Sequence, residues 1–454
     1  MDSKAYIDSY IERARVAQAE FEKMSQEQVD RAVQAIARVV YDNAQYLAEF
    51  AVEETGMGNV EDKFAKNRQK AGIVWNNLKN KKSRGILDTD EITGITKVAK
   101  PVGVVAAITP CTNPIVTPMS NAMFALKAGN AIVITPHHKA IKCSTRTVEM
   151  MNGALAKLGM PENLIQILGE QNRENTRNLI STADVVVATG GGGMVKAAYS
   201  SGKPALGVGA GNVQCIIDKG YDLKEAVPKI IKGRSYDYGI ICSAEQSAIC
   251  HESDFEAMLE EFAAGGAYIV RNATELEKVR GALFADGKAN RHSVGQSCAK
   301  VAELAGIEIP AETRVIVAVA DGTGATDSLG GEKMAPVLSA YAYKDLDDAI
   351  RIAAENLERE GKGHSVAFHS DSEENIAKVA ESLCVSRFVI NQCSANSAGG
   401  SYFNGLNPTN TLGCGSWGNN SISENLNYTH LMNVSKIARF RPDNHVPTDE
   451  ELWD

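Results

Sequence analysis

Apolar residues recur at helical spacing through residues 6–55. Ile7, Tyr10, Ile11, Ala14 and Ala17 mark one face, and Val29, Val33, Ile36, Val40, Leu47 and Phe50 mark another, so the pattern predicts two long helices. The run Glu53-Glu54-Thr55-Gly56-Met57-Gly58 ends the second with glycines suited to helix termination. A polar helix follows over 60–79. Residues 84–101 are polar, with turn chemistry at Thr93-Gly94, and predict an antiparallel hairpin with little core of its own. Such a hairpin often serves as an arm against another subunit.

The pattern then changes to short apolar runs alternating with helical ones. Strands are predicted at 102–109, 131–135, 164–168 and 184–189, with helices at 115–127, 143–158 and 173–180 between them. Continuous runs such as Val185-Val186-Val187 suit strands buried on both faces of a parallel sheet. A second series is predicted at 214–217, 246–250, 267–270, 314–319, 337–343, 365–369 and 387–390. The chain therefore reads as two doubly wound α/β domains. The glycine-rich stretch 205–213 is the expected linker.

The chain has 454 residues, 44% hydrophobic and 23% charged, which suits a soluble protein of two or three domains. Its net charge of -9 argues against nucleic acid or an anionic membrane as main partner, while leaving small anionic ligands open. No segment approaches the roughly 18 apolar residues of a membrane span, and the N-terminus lacks a signal peptide's apolar core. The nine cysteines are odd in number, scattered and without a CxxC pair, so neither a disulfide framework nor a metal site is read. A cytoplasmic location fits these features.

Three loops carry candidate chemistry. Tyr238-Gly239-Ile240-Ile241-Cys242-Ser243 sets a cysteine between an apolar run and small polar residues. A thiolate there would attack carbonyls and leave again; a small buried hydrophobe is the plainer reading. Pro110-Cys111-Thr112-Asn113-Pro114 follows a predicted strand, where the Asn113 amide would stabilise an oxyanion or only form an Asn-Pro turn. Thr189-Gly190-Gly191-Gly192-Gly193-Met194 joins a predicted strand to a helix and suits either a nucleotide phosphate or a flexible turn. His137-His138-Lys139 follows the strand 131–135. Two histidines and a lysine there, with no acid, favour a 2′-phosphate and hence NADP over NAD; exposed loop residues are the alternative.

Together these residues resemble the aldehyde dehydrogenase superfamily over nearly the whole chain, specifically its CoA-acylating branch. The joint pattern comprises 110–114, 188–195, 206–212, Ile241-Cys242 and Gly331-Glu332-Lys333-Met334-Ala335-Pro336-Val337, with 410–421 supporting the acylating branch. Within it the chain looks similar to the acylating succinate-semialdehyde dehydrogenases. The resemblance implies Cys242 as nucleophile, Asn113 as oxyanion donor and Glu332 as the acid on the nicotinamide ribose. It places Thr109, Pro110, Thr135, His137, His138, Lys139, Gly190, Gly191, Met194, Val208, Gly209 and Met334 along the cofactor. It implies a cofactor-binding Rossmann-like domain (1–83 and 103–210), a catalytic domain (211–429), an oligomerisation arm (84–102 with 430–454), and a homodimer or higher homo-oligomer.

Two departures bear on chemistry. Hydrolytic members carry a glutamate in the run Glu-Leu-Gly-Gly-Lys, as the base that activates water. Here Gly207-Val208-Gly209-Ala210-Gly211 offers no carboxylate. Without a general base, worth roughly 10²–10⁴-fold, a thioester on Cys242 should wait for a second thiol, which predicts coenzyme A as co-substrate. The family's adenosine-side lysine is replaced by Thr135. For a succinyl group the distal carboxylate needs a partner; Lys70 on the polar helix and Ser243 beside the nucleophile are the candidates, with Arg68 a second choice. The expected reaction interconverts succinyl-CoA plus NADPH with succinic semialdehyde, NADP and CoA. Alternatives are an acylating acetaldehyde or propionaldehyde dehydrogenase, a hydrolytic or acyl-phosphate-linked relative, and a non-catalytic nucleotide-binding relative.

Overall fold

The computed structural model describes residues 2–285 and 287–454. Where two N-terminal helices are predicted there are three, Ser3–Phe21, Gln26–Asp42 and Ala44–Thr55. The break falls at Asn43, whose backbone leaves helical geometry (φ -107°, ψ 20°). Its side-chain amide donates to the Val39 carbonyl at 2.8 Å, satisfying an acceptor at the helix end. Val40, Ala44 and Leu47 are buried on both sides of the break, so the apolar period runs through it and conceals it. The fourth helix, Val60–Leu78, is capped by Asn59, whose side chain accepts from the Asp62 amide at 2.8 Å.

Five parallel strands form the first sheet, in the spatial order Ile165–Ile167, Ala131–Thr135, Val104–Ile108, Val185–Thr189, Ala205–Val208. The chain winds outward from Val104–Ile108 in one direction, then returns to its other side. The strand order therefore reverses between Val104–Ile108 and Val185–Thr189, and the crevice beyond their carboxyl ends is where ligands bind in such sheets. Part of the expected linker is the edge strand here: Ala205–Val208 pairs with Val185–Thr189, and only the residues after it connect the sheets. Gly207 tolerates this because its missing side chain makes room for Tyr199 and Val195.

Seven parallel strands form the second sheet, in the order Ala267–Val270, Val315–Val319, Val337–Tyr343, Ser247–His251, Gln214–Ile217, Val366–His369, Phe388–Ile390. Separate apolar clusters fill its two faces, one around Cys215, Ile230 and Phe262, another around Ile216, Ile352 and Phe368. A third, antiparallel sheet joins Ile86–Thr89, Thr96–Pro101 and Met432–Ile437. No described helix is long and apolar enough to cross a membrane.

Candidate active site

Cys242 ends a strained turn. Asp237 and Tyr238 have φ of 51° and 52°, and Gly239 follows at 70°, three successive left-handed residues of which two carry side chains. Cys242 itself sits half-buried at the floor of a pocket that Lys66, Lys70, Asn113, Ser243 and Thr409 also line. The structure thus brings Cys242, Asn113, Lys70 and Ser243 together from three distant stretches of chain. Among the described residues, no aspartate or glutamate lines this pocket.

Burial pushes the Cys242 thiol up to about 12; the nearby Glu332 and Cys414 add to this, while the Arg387 guanidinium opposes it. The resting side chain is a thiol. Exposure alone would not have selected it, since Cys111 and Cys393 are also half-buried and Cys384 is exposed.

Asn113 leads into the helix Val116–Lys127, with its carbonyl accepting from the Thr117 amide at 3.2 Å. Its side-chain oxygen accepts from Lys66 Nζ at 2.7 Å. Among the described residues its amide NH₂ donates to nothing. Lys70 Nζ donates to the carbonyls of Gly399 and Thr409 at 2.9 and 3.1 Å, leaving one N–H uncommitted. Burial pulls its ammonium down to about 8, still mostly charged at neutral pH. Ser243 Oγ donates to the Ala395 carbonyl at 3.3 Å. Arg68 does not reach the pocket: it is exposed, with its guanidinium 4.2 Å from the Tyr41 ring centre. On this helix it lies two residues before Lys70, so the two cannot share a face.

The crevice of the first sheet holds the remaining candidates. Gly191 precedes the helix Gly192–Tyr199 with no side-chain cap, so its first amides are open. A β-carbon on Gly190, Gly191, Gly192 or Gly193 would meet nothing within 4 Å, which leaves the space a phosphate needs to approach. Thr109 Oγ1 is buried, with no partner among the described residues, at the end of the adjacent strand. These features fit a dinucleotide. His137 and His138 stack at 4.1 Å. Burial, with His138 and Lys139 beside it, lowers His137 to about 4, so it is uncharged at neutral pH, while the Lys139 side chain is exposed beside it. Thr135 is buried, and its hydroxyl bonds to Gln171 at 2.8 Å. The Val208 side chain packs against Val389, Ala398, Leu412 and Cys414. Only the backbone of Val208 remains to face a ligand.

Glu332 lies near both halves of the site. The Gly211 backbone amide lies near its carboxylate and favours the charged form, and the Glu332 amide donates to Glu360 at 2.9 Å. Burial and the Glu360 charge raise Glu332 to about 8. Met334 has a φ of 48°, and its carbonyl accepts from the Gly295 amide at 2.8 Å.

Sequence reasoning missed Lys63, Lys66 and Asp237. The signal was present in the spacing of Lys63, Lys66 and Lys70, which share one face of the polar helix. His364 was also missed: it is fully buried with neither ring nitrogen paired among the described residues, and burial with the neighbouring Arg387 drives it well below the ordinary histidine range.

The chain matches the aldehyde dehydrogenase family over residues 1–430. It is 52% identical, over all of both chains, to a succinate-semialdehyde dehydrogenase (acetylating) of Clostridium kluyveri. It is 39% identical to a sulfoacetaldehyde dehydrogenase (acylating) of Bilophila wadsworthia, covering 98% of this chain and 97% of that one. An acetylating aldehyde dehydrogenase from Geobacillus thermoglucosidasius superposes with a TM-score of 0.94 at 38% identity, covering 98% of each chain. A Rhodopseudomonas palustris propionaldehyde dehydrogenase with bound CoA and an acylated cysteine gives 0.86 at 29% identity, over 95% and 97%. An engineered glycolyl-CoA reductase with bound NADP⁺ gives 0.84 at 30%, over 95% and 96%. The chain belongs to the aldehyde dehydrogenase family, and the relatives named for acylation or for bound CoA match it over nearly their whole length.

Proposed function

We propose that this chain is a CoA-acylating aldehyde dehydrogenase that interconverts succinyl-CoA and succinic semialdehyde with NADP(H). The observation that carries this reading is the pocket's composition: the Cys242 thiol, two ammonium groups and several side-chain amides, Asn113 among them, with no carboxylate among the described residues lining it. A hydrolytic enzyme needs a base beside its thioester. The nearby Glu245 does not serve, since it points behind the loop, against Gly233 and the Ser394 amide.

In this reading Cys242, once deprotonated, adds to the aldehyde carbon. The Asn113 NH₂ donates to the oxygen that becomes negative, a contribution of roughly 10²–10³-fold for one such donor. NADP⁺, when bound, would supply the hydride acceptor. Glu332 holds the cofactor's ribose, the amides opening Gly192–Tyr199 meet its pyrophosphate, and Lys139 meets the 2′-phosphate. The acyl group is left as a thioester on Cys242, and the CoA thiolate displaces it. Lys70, with one N–H to spare, takes the distal carboxylate, assisted by Ser243. The substrates in the names of two relatives, succinic semialdehyde and sulfoacetaldehyde, both end in an anion, which supports a cation at this end.

The protein is further proposed to be cytoplasmic and to assemble as a homodimer or higher homo-oligomer through the three-stranded arm. The test of function is NADPH oxidation with succinyl-CoA, run beside acetyl-CoA and beside NADH. Fast turnover with succinyl-CoA and NADPH is expected. Turnover with acetyl-CoA alone would retain the acylating chemistry and remove the carboxylate site. No turnover with either would overturn the reading.

A further inference from the structure

Two lysines are buried beside the active-site pocket and share one carboxylate, that of Asp237. The side chains of Lys63 and Lys66 are 3% and 8% exposed, and that of Asp237 is fully buried. Lysines are rarely buried unless paired, and one would suffice for one aspartate. Both approach Asp237 Oδ2, Lys63 at 2.9 Å and Lys66 at 2.6 Å. Asp237 Oδ1 accepts from the Asn59 amide at 3.1 Å, so the carboxylate is held from three sides.

Lys66 has a second contact that Lys63 lacks, 2.7 Å to Asn113 Oδ1. An ammonium has only donors. The Asn113 oxygen must therefore face Lys66, and its NH₂ must face the other way. An asparagine amide that rotated half a turn would present its carbonyl, not its donors, to the developing oxyanion. The backbone supplies an independent sign. Asp237 is held at φ 51° and ψ 39°, beside Tyr238 at φ 52° and ψ 36°, strain of the kind kept where a site depends on it. That strained turn lies five residues before Cys242 and delivers its carboxylate to the ammonium on Asn113. Burial lowers Lys66 to about 8, while Asp237 opposes the fall, so the ammonium is mostly charged at neutral pH.

We infer that Lys66, anchored by Asp237, is a positioning residue that locks the Asn113 amide with its NH₂ toward Cys242. The inference rests on the acylating reaction proposed above, in which Asn113 receives the oxyanion. Lys66 makes the amide a pre-set donor and, by bonding its oxygen, polarises the N–H bonds that face the reacting carbon.

The test is a double-mutant cycle on the full-length enzyme with Lys66→Met, Asn113→Ala and the pair. KM for aldehyde and for CoA are measured beside kcat, together with unfolding midpoints and the alkylation rate of Cys242. Lys66→Met leaves Asp237 paired to Lys63; Lys66→Gln, which keeps a donor, is the second variant and is read in the same cycle. The expected result is a fall in kcat of about 10²-fold for Lys66→Met, near the loss of an oxyanion donor, with both KM values little changed. The pair should then be no worse than Asn113→Ala alone, and Lys66→Gln should recover part of kcat. Losses that multiply in the pair would overturn the inference, as would a raised aldehyde KM with kcat intact. Full activity in Asn113→Ala would instead sink the role of Asn113 in the proposed reaction.

Discussion

Gly211 lies against the backbone carbonyl of Cys242, so close that a β-carbon at 211 would fall well inside contact distance of that oxygen. The Gly211 backbone amide also lies near the Glu332 carboxylate and favours its charged form. One glycine between the two sheets thus sets both the height of the nucleophile and the place of the acid assigned to the cofactor. Its φ is not left-handed, so the demand for glycine is steric. Gly211→Ala must push the Cys242 turn away, and kcat/KM should fall by about 10²-fold or more, the scale for an ångström of misplacement. Steady-state kinetics beside a thermal melt would check this. A variant with unchanged kcat/KM would show that the turn yields without consequence.

The resting thiol should be slow to alkylate. With Cys242 pushed up to about 12, against about 8.5 for a free thiol, the thiolate is scarce at neutral pH. Its greater intrinsic nucleophilicity returns only part of the loss, so the net slowing is about 10²-fold. The rate should climb steadily as pH rises above 8. Glu332→Gln should quicken it above pH 8, where the native carboxylate is charged and disfavours the thiolate, and should change little at pH 7, where Glu332 is mostly protonated. Iodoacetamide rates, read on the Cys242 peptide by mass spectrometry, decide it.

The parallel strands were legible because strands covered on both faces are written as short apolar runs, as in Val185-Val186-Val187. Cys242, Asn113 and Glu332 were legible as motif positions, each beside a turn. Asn43 was not, because buried Val40 and Leu47 keep the helical period across the break. Lys66 and Asp237 were hidden for another reason. A polar face on a helix looks the same whether it meets water or a buried carboxylate 171 residues away. Arg68 was weighed beside Lys70 for the distal carboxylate because charge alone does not say which side of a helix faces inward; the spacing of Lys63, Lys66 and Lys70 does.

Lys70 should govern which aldehyde is accepted. In Lys70→Met the distal carboxylate would face a thioether. Losing a charged hydrogen bond of about 1.5–3 kcal/mol should lower kcat/KM for succinic semialdehyde by about 10- to 10²-fold. Propanal has no carboxylate and should be used as well as before. The carbonyls of Gly399 and Thr409 also lose their donor, so the melting temperature should drop slightly for both assays alike. Equal losses on the two substrates would remove Lys70 from substrate recognition and leave it as a strut beneath the loop.

The arm should be needed for assembly. Met432–Ile437 pairs along Thr96–Pro101, yet nearly all of it is exposed in a single chain. Beyond it Phe440, Val446 and Trp453 are 91%, 82% and 82% exposed, and Ile92 at the hairpin tip is 88% exposed. So many bare apolar side chains on one narrow sheet and its extension are what a protein interface leaves uncovered in the isolated subunit. The Leu431 carbonyl, which accepts from Asn130 at 2.8 Å, anchors the chain beside the first sheet just before the strand begins. Deleting 432–454 therefore removes the outer strand without releasing that anchor. Sedimentation velocity should show the full chain as a dimer or larger and the truncated chain as a smaller species. An unchanged sedimentation mass would place the subunit contact elsewhere.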